Sequence, residues 1–333
     1  MPASRLSFAP ALMISGACLL LLCLASLMFG AGDVSVSRSL LALFGAADEQ
    51  ARFVVHELRW PRTELGLLVG AALGVAGLLL QSVTRNPLAE PGLMGVSAGA
   101  SFAVVLAIAL GASAASLNLM VAVGGALAGC LLVLLVTQMR GVGNDPVRLV
   151  LAGAAFSGLL TALSSMMLLQ DQRTADEMRF WVIGALAGRP LDTLVWSLPG
   201  LLAGLLLALP LIPALAALSL GERVATGLGH HPHITRLVTL LAVALLVGTA
   251  TAAAGPIGFV GLVVPFIARR LVGTDIRRTF GLSILLGPCI VLFADILSRL
   301  AVRPYELPVG VITALVGAPI LIAVVRSHRL PTL

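Results

Sequence analysis

The side chains able to do chemistry in this 333-residue chain are few, and they gather in a handful of places. His230, His231 and His233 stand together, as metal ligands sometimes do. Adjacent histidines cannot share one helical face, no carboxylate lies beside them, and Pro232 breaks a helix there, so the trio does not read as a ligand set. Asp295 and Arg299 sit one helical turn apart in an apolar stretch, where ionisable groups are costly and kept for function. A pair that merely neutralises itself at i,i+4 is the other reading. Arg59 and Arg62 stand just ahead of an oily run that closes on Arg85, Asn86 and Pro87.

Absences narrow the chemistry further. All 21 basic residues are arginine. A Walker A loop needs its phosphate-binding lysine and a Schiff-base cofactor needs an amine, so the chain is not expected to drive itself with ATP or to hold such a cofactor. No Gly-x-Ser-x-Gly, His-Glu-x-x-His or carboxylate pair occurs in a setting that would make it catalytic. Neither an enzyme nor a cofactor is implied. Cys18, Cys23, Cys130 and Cys289 all lie inside apolar runs, which suits small core residues better than disulfides or a thiolate metal site. The net charge of +6 belongs to arginines in loops, without the aromatic-laced basic patch of a nucleic-acid surface.

Hydrophobic residues make up 59% of the chain and charged ones 11%, with a mean hydropathy of +1.07, which leaves too little polar surface for a water-soluble globule. The apolar runs have the length of an α-helix crossing roughly 30 Å of hydrocarbon and lack the alternation of a β-barrel. An all-α polytopic membrane protein is expected, one transmembrane domain over 1–333. Its spans, about ten, fall near 11–31, 64–84, 94–112, 117–138, 149–169, 193–217, 235–255, 256–270, 280–300 and 307–325. Ala-Gly-Pro-Ile-Gly at 254–258 divides a stretch too long for one crossing. The first run reads as a retained span rather than a signal peptide. With the N-terminus inside, the inner loops collect twelve arginines, among them Arg5, Arg140, Arg329 and the pairs Arg269/Arg270 and Arg277/Arg278.

Three loops are long enough to do more than connect, with plain connection the other reading of the inward one. Residues 32–60 and 170–192 face outward and 218–234 inward, the last reading as a short glycine-ended helix outside the membrane. Gly66, Gly70 and Gly74 recur on one face of the second span, and Gly77 continues it. That spacing lets helices approach closely, with a pathway lining as the alternative. Asn86, Pro87, Glu90 and Pro91 end the second span, Pro stopping the helix and Asn capping the turn; an inner gate is the other reading. Bare span interiors argue against an ion-coupled secondary transporter. A path without an engine must draw its energy from a partner.

Longer motifs carry a resemblance. Leu-Arg-Trp-Pro-Arg-Thr (58–63), Asn-Pro-Leu-Ala-Glu-Pro-Gly-Leu-Met-Gly-Val (86–96) and Gly-Pro-Ile-Gly-Phe-Val-Gly-Leu-Val-Val-Pro (255–265) resemble the FecCD/BtuC-type permeases. These are membrane subunits of binding-protein-dependent ABC importers for ferric siderophores, haem and cobalamin. Leu-Ala-Gly-Ala-Ala (151–155), Arg-Phe-Trp (179–181), Ala-Asp-Ile-Leu-Ser-Arg-Leu (294–300) and Glu-Leu-Pro-Val-Gly-Val (306–311) extend the match over nearly the whole chain.

The resemblance implies a BtuC-like, type II importer bundle in the bacterial inner membrane with both termini cytoplasmic. Its implied partners are two cytoplasmic ATPase subunits, a second permease and a periplasmic substrate-binding protein, with lipid around the bundle. It assigns Arg59, Arg62 and Arg299 to acidic residues of the binding protein, and Glu222, Arg223, Thr226, Gly227 and Gly229 to the ATPase groove. The stretch 84–102 looks more like the enterobactin-type permeases than the cobalamin one. A ferric siderophore is therefore the implied cargo, cobalamin or haem the alternative, and the second permease a related sister rather than an identical copy.

Overall fold

The computed structural model of the chain describes residues 7–32, 34–112, 119–138, 146–178, 181, 183–190, 192–303 and 305–326. Arg5, Arg140 and Arg329, expected on the inner side, lie outside the described residues, as do Arg179 and Phe180 of the Arg-Phe-Trp motif. Regular structure among the described residues is entirely helical.

The chain opens with α1 (Phe8–Met28), then α2 (Val36–Leu43), α3 (Glu49–Phe53) and a π-helical turn (Val54–Arg59) that runs without a break into α4 (Trp60–Thr84). After a 3-10 turn at Pro91–Met94 come α5 (Val96–Ala109), α6 (Leu119–Gln138), α7 (Pro146–Gln170) and α8 (Gln172–Met178). The second half holds α9 (Thr193–Ala208), α10 (Leu211–Ser219), α11 (Glu222–Gly227), α12 (Pro232–Ala254), α13 (Val260–Val272), α14 (Ile276–Leu300) and α15 (Val309–Arg326). Each expected apolar run falls on a helix, α9 and α10 together forming one of them. We call the end of the bundle at Trp60 the outer end, following the arginine rule.

Helix α4 is the central post, buried along most of its length against α12, α13 and α14. Its glycines explain how so many helices reach it. A Cβ on Gly70 would run into the backbone of Gly287 and Pro288, and one on Gly77 into the carbonyl of Gly261. At Gly74 it would stand 2.7 Å from Ser283 O, and at Gly66 2.8 Å from Leu292 Cδ2. Lipid tails are as apolar as the helix faces, so this close van der Waals fit, rather than escape from water, is what associates the helices. Gly66, Gly70 and Gly74 thus each lie against α14 of the same chain.

Several boundaries differ from expectation for physical reasons. The run 193–217 is not straight; α9 and α10 meet at a 51° bend where Pro210 removes a backbone donor. The outward stretch 32–60 is folded, with Val34, Ala42, Ala51 and Val55 in a small apolar cluster of its own. Pro232 begins α12 rather than breaking a helix, at a position where the missing N–H costs nothing. Helices α5 and α13 have only 14 and 13 residues, about 20 Å each. Their preceding segments, 85–95 and 255–259, hold no α-helix and leave less for the span to cover.

Candidate functional site

The charged residues of the outer end converge on the end of α1. The last carbonyls of any helix lack a donor one turn further on. Arg59 Nη1 donates to Leu27 O, Met28 O and Ser39 Oγ, each at 2.9 Å. Arg299 Nη1 donates to Ser26 O and Phe29 O at 2.9 Å, while its Nη2 reaches Ser26 Oγ at 2.8 Å. Planar, multi-donor guanidinium groups suit a cluster of oxygens, and a cation suits the negative end of a helix. Both arginines are hidden by this work, with exposures of 5% for Arg59 and 1% for Arg299.

Asp295 holds the cluster together. It is fully buried, and its Oδ1 accepts from Arg62 Nε at 2.8 Å while Arg299 Nη2 lies 2.8 Å from its Oδ2. Arg62 then turns outward, its Nη1 at 2.6 Å from Glu306 Oε2. Asp295 and Arg299 are thus not merely a self-neutralising pair but the inner part of a chain of alternating charges that ends at the surface. Among the three arginines assigned to an outside partner, only Arg62 approaches solvent. Arg59 and Arg299 give their donors to the end of α1. Ser26, Ser39 and Glu306 belong to the site and were missed as site residues; nothing near Ser26 or Ser39 marks them, and the motif 306–311 that begins at Glu306 gives no sign of its pairing with Arg62.

Beside this cluster a cavity of about 830 Å³ opens between the helix ends, with Arg62, Arg189, Asp192, Glu306, Trp181 and Trp196 on its wall. Arg189 Nε donates to Ala185 O at 3.1 Å, and burial pushes its guanidinium down to about 10, so it stays charged at neutral pH. The cavity therefore sets a few charged groups and two tryptophans into a wall that is otherwise largely apolar, with Val104, Ile108, Met120, Met178 and Leu186 on it.

The inner loop is built the opposite way. Glu222, Arg223, Thr226, Gly227 and Gly229 are all exposed, and Ala225 is the one residue of α11 that is buried. Glu222 forms an ion pair with Arg236, and Thr226 Oγ1 donates to Glu222 O at 2.9 Å. Gly229, at φ +82°, turns the chain away so that His230 N–H can donate to Ala225 O at 3.0 Å. His231 is the N-cap residue of α12.

Asn86 and Pro87 form a tight turn. Asn86 Oδ1 accepts from Leu88 N–H at 2.9 Å, after Arg85 ends α4 in the left-handed conformation. Gly95 to Gly99 does spell Gly-x-Ser-x-Gly, but Ser97 Oγ lies 3.3 Å from Thr251 Oγ1 in a helix-to-helix contact without a histidine.

Comparisons with known proteins agree with this architecture. The sequence model of the FecCD transport family matches residues 18–327. The chain is 47% identical to the ferric enterobactin transport system permease protein FepD of Escherichia coli (strain K12) over 303 residues, 90% of each chain. It is 36% identical to the Fe(3+)-citrate import system permease protein YfmD of Bacillus subtilis (strain 168), over 91% of this chain and 90% of the relative. A solved structure described as an inward-facing conformation of a metal-chelate type ABC transporter superposes with a TM-score of 0.81 at 28% identity, covering 96% of this chain and 99% of the other.

Proposed function

The chain belongs to the FecCD transport family, and from that premise we propose that it is the permease subunit of an ABC importer carrying a ferric siderophore across the bacterial inner membrane. One observation carries the reading: the 47% identity to a ferric enterobactin permease extends over nine-tenths of both chains. The missing P-loop lysine agrees with it, since hydrolysis then belongs to ATPase subunits on the cytoplasmic side. A sister permease completes the pathway, and a periplasmic binding protein delivers the cargo.

The division of labour follows from where charge is exposed. The exposed α11, with Glu222, Arg223, Thr226, Gly227 and Gly229, is the segment an ATPase would grip, and closure of the ATPase pair would push it and tilt the spans as rigid bodies. At the outer end, Arg62 is the docking arginine for an acidic lobe of the binding protein. Arg59 and Arg299 serve docking at one remove, by holding α1 and Asp295 where Arg62 needs them. A rim charge of this kind sets encounter rate and orientation more than affinity. Arg62→Glu is expected to slow association with the binding protein in a salt-sensitive way. An unchanged association rate at low salt removes Arg62 from docking.

The cargo is tested by reconstituting the permease pair with its ATPases and binding protein in liposomes. ATP-dependent uptake of iron-labelled ferric enterobactin, with cobalamin and haem left outside, is the expected result. Uptake of cobalamin or haem in preference to any ferric siderophore overturns the cargo, and uptake without ATPases overturns the importer itself.

A further inference from the structure

Two stretches of backbone outside the α-helices run inside the bundle in this fold, the first holding the 3-10 turn Pro91–Met94, and they meet. α4 ends at Thr84, but the segment 85–95 climbs back into the bundle: a Cβ on Gly261 would stand 2.9 Å from Pro91 Cδ, and Gly261 itself packs on Gly77. Gly77 precedes Thr84 by seven residues, about 10 Å of helix. The second stretch descends from the outer end of α12, where Ala185 N–H donates to Ala254 O at 2.8 Å, to the same depth, where α13 begins. At the meeting point Glu90 Oε1 accepts from the backbone N–H of Phe259, which stands in the left-handed conformation at φ +68°.

Two facts make this junction more than a packing detail. Gly258 is exposed, Glu90 and Phe259 are half-buried, and a Cβ added to Gly92 would meet open space. Irregular backbone cannot face lipid, and a carboxylate at that depth is too costly to sit there. The surface must therefore face water or another protein. Glu90 also stands at the start of a half-length helix, where the free N–H groups of the first turn favour an anion. A side chain without an acceptor oxygen there would leave the junction without this long-range hydrogen bond.

We propose that Glu90 is a positioning residue of translocation, clamping the 85–95 segment to the start of α13, and that Gly258 and Gly92 beside it line the water-filled part of the path. The proposal rests on the reading of the chain as a permease. It assigns to Glu90 a role in holding the shape of the path at mid-membrane, with no contact to cargo required.

The test uses the assembled importer, with the four native cysteines replaced. Gly258→Cys and Gly92→Cys are exposed to a charged, membrane-impermeant thiol reagent in each nucleotide state, with Leu20→Cys, on the exposed face of α1, as the lipid-facing reference. Modification of both glycine-site cysteines in at least one state, with Leu20→Cys untouched, is the expected result. In a second arm Glu90→Ala is expected to lower cargo moved per ATP hydrolysed by about tenfold, the scale of one charged hydrogen bond. Glu90→Gln, which keeps an oxygen for Phe259 N–H, is expected to retain most of the coupling. Gly258→Cys unreactive in every state overturns the path assignment, and Glu90→Ala with wild-type coupling overturns the clamp. Should Glu90→Ala fail to assemble, the cysteine arm and Glu90→Gln still decide. The wild-type complex runs alongside: failure of its own transport sinks the permease reading, whereas normal transport with unmoved variants sinks the clamp alone.

Discussion

The outer charge cluster and the inner loop carry similar residues and use them in opposite ways. Outside, Arg59, Asp295 and Arg299 are turned inward onto the end of α1 and onto one another, and only Arg62 and Glu306 reach the rim. Inside, Glu222 and Arg223 stand on a six-residue helix held to the bundle by little more than Ala225. In a chain with 11% charged residues, charge that is buried must be satisfied by the fold itself. Charge left in the open is available to a partner. The same guanidinium group is therefore spent on the fold at Arg59 and Arg299 and left exposed at Arg223.

Substitutions can break or sharpen that contrast. The largest effect is expected at Arg299. Replacing it by Leu withdraws donors from Ser26 and Phe29 and leaves buried Asp295 with Arg62 as its only cation, a loss of about 3–5 kcal/mol in thermal unfolding of the purified permease. A cost below about 1 kcal/mol, the scale of an exposed pair, would erase the distinction. Next come the glycines. Gly77→Ala, facing the Gly261 carbonyl, is expected to destabilise the bundle by about 1–3 kcal/mol, measured in the same way. Gly227→Ala on α11 meets nothing and is expected to stay within about 0.5 kcal/mol of wild type.

A smaller, local effect is expected at Gly229, whose φ of +82° disfavours any side chain; Gly229→Ala should cost about 1 kcal/mol and show as faster amide exchange in α11. Glu222→Gln is expected to cost less than about 1 kcal/mol, because the Glu222 side of its pair with Arg236 is exposed. Its effect on ATP-coupled uptake is expected to exceed its effect on melting. A variant that melts early yet couples normally would place α11 in the structural class after all.

Much of this was legible in the sequence, since composition and run length dictate a helical membrane bundle, and every apolar run became a helix. The glycine spacing at 66, 70, 74 and 77 announced close packing without naming the helix that approaches. The site was less legible. Sequence places a charge along a helix but not the face it takes, and the oxygens that claim Arg59 and Arg299 lie 32 and 273 residues away. Glu306, 244 residues from Arg62, carries no local mark of its role. Short helices such as α13 misled the span boundaries because the approach to them is non-helical at depth, held by contacts such as Glu90 to Phe259 across 169 residues.

The claim that the exposed inner loop serves a partner while buried Arg59, Asp295 and Arg299 serve the fold is open to one direct experiment. Val224, exposed on α11, is replaced by Cys in a background without the native cysteines, and the full importer is assembled in nanodiscs with its ATPase subunits. Cross-linking of that cysteine to an ATPase subunit, with protection from thiol reagents on assembly, is the expected result. A Val224→Cys that stays fully reactive and links to nothing in an importer still transporting its cargo would contradict the account.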